Sequence, residues 1–274
     1  MFVVIIIAVA AVNVFALLRI IDDKSPVNTQ SPAKKSLNNN KKKNKSYPLI
    51  DLRPTVDAWA ARQSGAASVV VYDLANDKII ATLNPDTQYF TASLYKLYVA
   101  YIGYQRVADG TFSLTDPYLS GYNRGACLDA MIRNSYSPCG EKMWNELGKQ
   151  KITNAIKEYG LKNTDLTGLY TSARDATIIL QRLFGRRDLS EKYTMSYLDS
   201  LKTQPALYRR GLPSGFNDST VYNKVGWNGS VEWHDAAIVT LPNDRSYVVV
   251  VLTENVGTKN IIDLGKAIEA KLSK

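Results

Sequence analysis

Five short segments of the chain are rich in β-branched and other apolar residues and are bounded by polar turns. SVVVYDL (68–74) and DKIIATL (77–83) flank Ala75-Asn76-Asp77, and two such segments around a polar turn predict a β-hairpin. Three more segments predict strands, and these are STVYNKVGW (219–227), EWHDAAIVTL (232–241) and RSYVVVVLTEN (245–255). The turns between them fall at Asn228-Gly229 and at Pro242-Asn243-Asp244.

Between these strands the apolar positions follow a helical period. Residues 94, 97, 98, 101 and 102 are apolar within 93–110, and Gly110 provides a stop signal. Ser172-Ala-Arg-Asp175 resembles a capping box that opens another helix. The sequence predicts helices over 93–110, 127–133, 139–159, 173–184, 190–202 and 259–272.

This order of elements predicts an α/β fold of the α+β kind. Strands occur near both ends of the folded part and helices lie between them, so one antiparallel sheet is expected from the two chain ends. An all-helical subdomain, at about 111–212, is inserted into it. We expect a small ligand to bind in the crevice between the sheet and the insert.

The first residues carry a different pattern. Residues 2–18 are apolar except for Asn13, and the segment to Ile21 is long enough for a helix that crosses a bilayer. We predict an uncleaved transmembrane signal anchor over 1–21, with a cleavable signal peptide as the alternative. The charges on either side of it do not settle its orientation. Residues 22–48 predict a disordered tether rich in Lys and Asn, and residues 49–274 the folded domain.

The net charge of +9 reflects the tether, because residues 22–47 carry seven Lys and only two acidic residues. Without a nucleic-acid-binding motif, this run indicates a solvated segment and no nucleic-acid partner. The single histidine, His234, leaves a metal site poorly supplied, and no metal or cofactor is expected. Cys127 and Cys139 form one disulfide if the chain is exported, or are two independent buried thiols.

The main chemical candidate is Ser93 with Lys96 in TASLYKLYVA (91–100). Residues three apart on a helix share a face. A lysine in an apolar pocket binds its own proton weakly and can deprotonate a hydroxyl nucleophile. Ser-x-x-Lys alone is unspecific, since Ser31-Pro-Ala-Lys34 in the tether repeats it.

Two further segments supply polar groups of the right kind. Ser135 and Ser137 lie in a break between predicted helices, where serines also serve as ordinary helix caps. In YNKVGWNGS, strand alternation places Lys224 and Gly226 on one face and Val225 on the other. A surface lysine before a bulge glycine is the simpler explanation of that last segment.

Together and in this order, the three segments resemble the serine β-lactamase and penicillin-binding protein superfamily, closest to class A β-lactamases. The resemblance covers Ala66 to Leu272. It includes residues 68–100, YTSARD (170–175), RRGLPSG (209–215) and HDAAIVTLPNDRSYVVVVLTEN (234–255).

The resemblance implies a role for each matching residue. Ser93 is the acylated nucleophile, Lys96 its general base or proton relay, and Ser135 the group that passes a proton to the leaving nitrogen. Lys224 supplies positive potential, and the N–H groups of Ser93 and Trp227 form the oxyanion hole. Substrate binding then involves Ser137, Gly226 and Trp227.

The implied enzyme is a serine hydrolase acylated by β-lactams, with a β-lactam or a peptidoglycan stem peptide as substrate. We expect it to be a monomer, anchored to the membrane on the extracytoplasmic side of a bacterium, with an activity that bears on antibiotic resistance.

The sequence departs from the family in three places. Ser135-Tyr136-Ser137 stands where the family has Ser-Asp-Asn, and Val225 where it has Thr. In class A enzymes a Glu before the Thr171–Asp175 turn activates the deacylating water. Here Asp165 is the only acid between Gly160 and that turn, and Glu158 lies on the preceding helix out of pattern. We therefore expect slow turnover.

Three alternatives remain. One is a D-alanyl-D-alanine carboxypeptidase of the penicillin-binding type, and another is a non-catalytic β-lactam-binding sensor domain. The third is a Ser-His-Asp hydrolase with His234 as base. Strand alternation separates His234 from Asp235 and no Gly-x-Ser-x-Gly motif is present, so a structural histidine is expected.

Overall fold

The computed structural model of the protein describes residues 47–229 and 231–274. The predicted anchor and nearly all of the predicted tether lie outside the described residues. Within the described residues, no helix combines the length and the apolar character needed to span a bilayer.

A five-stranded antiparallel sheet forms the centre of the fold, in the order β2-β1-β9-β8-β7. Its strands are β1 (Ala66–Asp73), β2 (Lys78–Leu83), β7 (Thr220–Trp227), β8 (Trp233–Thr240) and β9 (Ser246–Glu254). Two-stranded pairs are made by β3 (Tyr89–Phe90) with β6 (Tyr170–Thr171), and by β4 (Pro117–Leu119) with β5 (Tyr122–Asn123). The predicted hairpin, the three later strands and the joining of both chain ends in one sheet are confirmed. The insert predicted at about 111–212 is mainly helical but not all-helical, because the short strands β4, β5 and β6 lie within it.

Eight α-helices flank this sheet or lie between its strands in the described residues. They are α1 (Arg53–Ala60), α2 (Tyr95–Ala108), α3 (Arg124–Arg133), α4 (Ser137–Leu147), α5 (Lys149–Lys157), α6 (Ala173–Phe184), α7 (Glu191–Lys202) and α8 (Thr258–Leu272). The Ser172 hydroxyl caps α6 by accepting a hydrogen bond from the Asp175 N–H, as the sequence predicts.

The single helix predicted over 139–159 is wrong. The chain there forms α4 and α5, and Gly148 between them has a φ of 83°, a left-handed value that interrupts a helix. The apolar pattern continues across the break because both helices bury residues in the same core, Met143 from one and Ile152 from the other. The continuous apolar period therefore predicts one helix where the structure has two.

Alternate residues of the central strands contribute to two hydrophobic cores, one on each face of the sheet. Val70, Val248 and Val250 pack with side chains of α2, α3 and α6. Val249 and Val251 pack on the opposite face with side chains of α1 and α8. The sheet is therefore buried on both faces, which explains why its strands are nearly continuous apolar runs.

Cys127 of α3 and Cys139 of α4 are joined by a disulfide, with their Cα atoms 5.1 Å apart. Both side chains are fully buried. Of the two possibilities left open by the sequence, the structure has the bonded pair.

Candidate active site

Ser93 lies in a short 3-10 turn (Ala92–Leu94) immediately before α2. The residue before it, Ala92, has a φ of 43°, a left-handed conformation that costs an alanine roughly 1 kcal/mol. This turn is held by Thr91, whose N–H donates to the Leu169 carbonyl at 2.7 Å. A strained backbone fixed by its surroundings is frequent where a fold positions a reactive side chain.

Lys96 has no exposed surface, although it carries an amine. Its Nζ lies 2.9 Å from Ser93 Oγ, 2.7 Å from the Ser135 carbonyl oxygen and 3.0 Å from Ser137 Oγ. Burial is the main cause that lowers the pKa of Lys96 to about 8. The lysine in this apolar helix is therefore held by three oxygens and can lose its proton near neutral pH.

The loop between α3 and α4 brings two hydroxyls to the same place. Ser135 has a φ of 51°, so the chain reverses there and its carbonyl oxygen faces Lys96 while its Oγ lies 2.9 Å from Lys224 Nζ. Ser137 is the first residue of α4. The carbonyl contact with Lys96 is an interaction that no side-chain motif indicates.

Lys224 is fully buried on β7, an edge strand of the sheet. Besides Ser135, its Nζ donates to the Val225 carbonyl at 2.9 Å. Burial and then the repulsion of Lys96 lower the pKa of Lys224 well below its ordinary value, and the Asp235 charge partly opposes this. Both amines contact Ser135, and their positive charges would repel each other if both were protonated. One of them is therefore available as a base.

Gly226 allows β7 to approach the turn that carries Ser93. A methyl group at this position would collide with the Thr91 carbonyl oxygen and lie 3.0 Å from Leu94 Cβ. The next residue is Trp227, the last of β7. This contact places the end of the strand beside Ser93, where the oxyanion hole is predicted.

Behind Lys224, a polar network on the far face of the sheet was missed by sequence analysis. Asp235 is fully buried and accepts hydrogen bonds from Asn223 Nδ2 at 2.9 Å and from the Leu212 N–H at 2.7 Å. Burial raises the pKa of Asp235 to about 7. The available signal was the one acid within the apolar strand WHDAAIVT (233–240), which indicates a partnered buried charge.

His234 is buried and bonded through both ring nitrogens. Its Nε2 lies 2.8 Å from the Phe90 carbonyl and its Nδ1 accepts from the Thr253 N–H at 3.1 Å. A carbonyl only accepts, so Nε2 carries the proton. Burial lowers the pKa of His234 to about 4. These contacts fit the expected structural role.

The segment between α5 and α6 offers no free carboxylate to the site. Asp165 accepts from the N–H and hydroxyl of Thr167 in its own turn, which lowers its pKa. Asp175 is buried and accepts from the Asn163 N–H and Thr164 Oγ1. Glu158 is exposed and lines a separate cavity with Tyr159 and Asp188.

The arrangement joins one half-buried hydroxyl, two further hydroxyls and two buried amines. It can deprotonate Ser93 and deliver a proton from Ser135 to a leaving group. The predicted site residues Ser93, Lys96, Ser135, Ser137 and Lys224 are thus brought together, with Gly226 and Trp227 at the adjoining strand end, while their roles stay predictions. No cluster of His, Cys, Asp or Glu suited to a metal ion occurs in the described part of the chain.

Comparison with known families and structures identifies the family and the fold. Residues 51–272 match the model of the Beta-lactamase enzyme family. No curated protein matches the sequence.

Several solved structures share the fold at low sequence identity. A point mutant of the class A β-lactamase of the last common ancestor of Gram-negative bacteria has a TM-score of 0.74 at 18% identity, covering 81% of this chain and 99% of that one. PBP-A has a TM-score of 0.74 at 20% identity, and the match covers 83% of this chain and 98% of that one. The third structure is a point mutant of PBP-A in an acyl-enzyme complex with penicillin G. Its TM-score is 0.73 at 19% identity, and the match covers 83% of this chain and 99% of that one.

Proposed function

The chain belongs to the Beta-lactamase enzyme family and is a serine hydrolase of that type, and from this premise we propose that β-lactams acylate Ser93 and that the adduct is released slowly. The observation that carries the proposal is the contact of Ser93 Oγ with the Nζ of a lysine that has no exposed surface. We assign the protein to the class A type. The resemblance to class A enzymes is based on Ser93, Lys96, Ser135 and Lys224, and these four residues lie together in the structure.

Acylation proceeds with neutral Lys96 taking the proton of Ser93 Oγ as this oxygen attacks the β-lactam carbonyl carbon. The carbonyl oxygen then carries a negative charge, which the N–H groups of Ser93 and Trp227 stabilise. When the ring C–N bond breaks, Ser135 gives its proton to the nitrogen. Lys224 Nζ lies 2.9 Å from Ser135 Oγ and restores that proton, so the proton that Lys96 takes from Ser93 is balanced by the one that Lys224 gives.

The hydrogen bonding of the carboxylates between α5 and α6 supports slow release. Hydrolysis of the acyl-enzyme needs a base for the attacking water, and the Asp165 carboxylate is already engaged in its own turn. The penicillin G acyl-enzyme of the PBP-A mutant belongs to a protein of the same fold. It supports a penicillin adduct on this chain as well.

A D-alanyl-D-alanine peptidase, or a sensor domain acylated once, is the second candidate. The specific observation in its favour is that the carboxylates of Asp165 and Asp175 are both engaged in hydrogen bonds within their own segment. We also propose that residues 1–21 anchor the protein in the membrane, with the catalytic domain outside the cytoplasm and acting as a monomer.

Intact-mass spectrometry of the full-length protein after addition of penicillin G tests the proposal. We expect one adduct per chain within minutes and a decay slower than its formation. Ser93→Ala should form no adduct. Ser31→Ala, which removes the serine of the second Ser-x-x-Lys, is the matched control and should react like the wild type. An unlabelled wild type, or a labelled Ser93→Ala, would refute acylation at Ser93.

A fast decay of the adduct would contradict slow release and leave an efficient β-lactamase. Steady turnover of a D-alanyl-D-alanine peptide together with a persistent penicillin adduct would favour the second candidate.

A further inference from the structure

The disulfide encloses the part of the chain that carries two of the site hydroxyls. Cys127 lies in the middle of α3 and Cys139 in the first turn of α4, twelve residues apart in sequence. Ser135 and Ser137 lie between them. The cross-link therefore closes a small covalent ring that includes the loop between α3 and α4.

Two backbone hydrogen bonds join the start of the loop to α3. The N–H groups of Asn134 and Tyr136 both donate to the Ala130 carbonyl, at 3.0 and 3.1 Å. Ser135 between them has the left-handed φ of 51°, which a serine does not favour. A covalent link close to the loop offsets this preference, because it limits the alternative paths open to the chain.

The first turn of α4 also covers Lys96. A methyl group at Gly140, the residue after Cys139, would lie 2.9 Å from Lys96 Cε and 3.0 Å from the Tyr95 hydroxyl oxygen. Ser137 contributes its Oγ to Lys96 from the same turn. A shift of this turn would therefore change both the hydrogen bonding and the burial of the amine.

We propose that the Cys127–Cys139 disulfide is a positioning element of the active site, which holds the first turn of α4 over Lys96 and keeps Ser135 and Ser137 within hydrogen-bond distance of the two lysines. This inference rests on the proposed acylation of Ser93. The two cysteines would act indirectly, by positioning Lys96 and the two serines. Both sulfur atoms belong to fully buried residues, so the link is a constant constraint that reductants reach only after local opening.

The test compares the full-length wild type with Cys127→Ala/Cys139→Ala. Because a misplacement of about 1 Å can cost up to a hundredfold in rate, we expect Ser93 acylation by a fluorescent penicillin to slow about tenfold. The pH midpoint of acylation should also rise, because Lys96 becomes hydrated. Val249→Ala, in the core on the opposite face of the sheet, is the control for a general loss of stability and should change neither quantity.

A third variant separates positioning from stability. In a Ser137→Ala background, the additional substitutions Cys127→Ala/Cys139→Ala should slow acylation less than threefold relative to Ser137→Ala alone. The reason is that the Ser137 hydroxyl, which the disulfide helps to position, is already absent from that background. A full tenfold further loss, or an unchanged rate and pH midpoint in the cysteine variant, overturns the proposal.

Hydrogen–deuterium exchange makes this test independent of the proposed function. In the cysteine variant, amides of residues 134–141 should exchange at least tenfold faster than in the wild type and in Val249→Ala. If the wild type takes no penicillin, the acylation proposal fails while this measurement still decides on the positioning role. Unchanged exchange in the cysteine variant would overturn that role.

Discussion

A fully buried lysine is tolerated only where polar partners replace water or where its proton is easily given up. Lys96 has both properties, since three oxygens lie within 3.0 Å of its Nζ and burial lowers its pKa to about 8. The amine is thus a proton acceptor whose availability depends on pH in the physiological range.

This predicts the pH dependence of acylation. The neutral form of Lys96 increases as pH rises through about 8, so the second-order rate constant for Ser93 acylation should increase from pH 6 to pH 9 with a midpoint near 8. Stopped-flow fluorescence with a fluorescent penicillin measures it, with circular dichroism to check folding at each pH. A rate constant that does not vary with pH would exclude Lys96 as the base.

His234 predicts a second pH effect, on stability alone. Its pKa is lowered from 6.5 to about 4, so the unfolded chain binds a proton between these values while the folded chain does not. The free energy of unfolding is therefore largest above pH 6.5 and falls as pH drops through this window, by about 2 kcal/mol at pH 5.

Urea unfolding at pH 7.5 and pH 5 measures this loss in the wild type and in His234→Asn. The variant should be less stable at pH 7.5, because it loses buried hydrogen bonds, but should lose about 2 kcal/mol less on acidification. Equal pH dependence in both proteins would contradict the assignment. Acylation at pH 7.5 should remain within threefold of the wild type.

At the scale of elements, the site depends on how closely β7 approaches the turn before α2. Gly226→Ala should keep the sheet but push the strand away from the Thr91 carbonyl, which disturbs the place where the oxyanion hole is expected. We predict a loss of acylation rate of about a hundredfold, the size expected when an oxyanion donor is displaced. Stopped-flow acylation and thermal unfolding of the variant give the two readouts.

Gly229→Ala is the matched control, because nothing lies within 4 Å of the added methyl group and only its left-handed φ of 83° opposes the change. It should lose about 1 kcal/mol of stability and little acylation rate. If Gly226→Ala acylates as fast as this control, the close approach of β7 is not needed for the reaction.

Elements were predictable where one physical signal dominated. The strands of the sheet are short apolar runs between polar turns, and α6 and α7 begin at serine caps, so their positions follow from sequence. The break at Gly148 was missed because the apolar period continues across it, although glycine is the same stop signal that marks the end of the helix at Gly110. The Ser135 carbonyl and the Asp235 network were missed for a related reason, since backbone contacts and buried partners carry no motif.

On the scale of the whole molecule, the site residues come from distant parts of the chain. Ser93 and Lys96 belong to the turn and helix that follow the first hairpin, Ser135 and Ser137 to the helical insert, and Lys224 to a strand of the returning chain. Their order in sequence suggested a common site, but only the packing of α2 between the sheet and the insert makes them neighbours. The catalytic geometry therefore depends on all of these layers remaining together.

This arrangement predicts that the sheet and the helical insert unfold together. Val250 and Val249 are neighbours on β9, yet they belong to different cores, so the same strand supports both faces. Val250→Ala and Val249→Ala should each lower one shared thermal transition, by an amount equivalent to about 2 kcal/mol. Calorimetry and circular dichroism in the near and far ultraviolet measure it on the oxidised protein. Two separate transitions, each sensitive to one variant only, would show that the faces unfold independently, and the site could then open while the sheet stays folded.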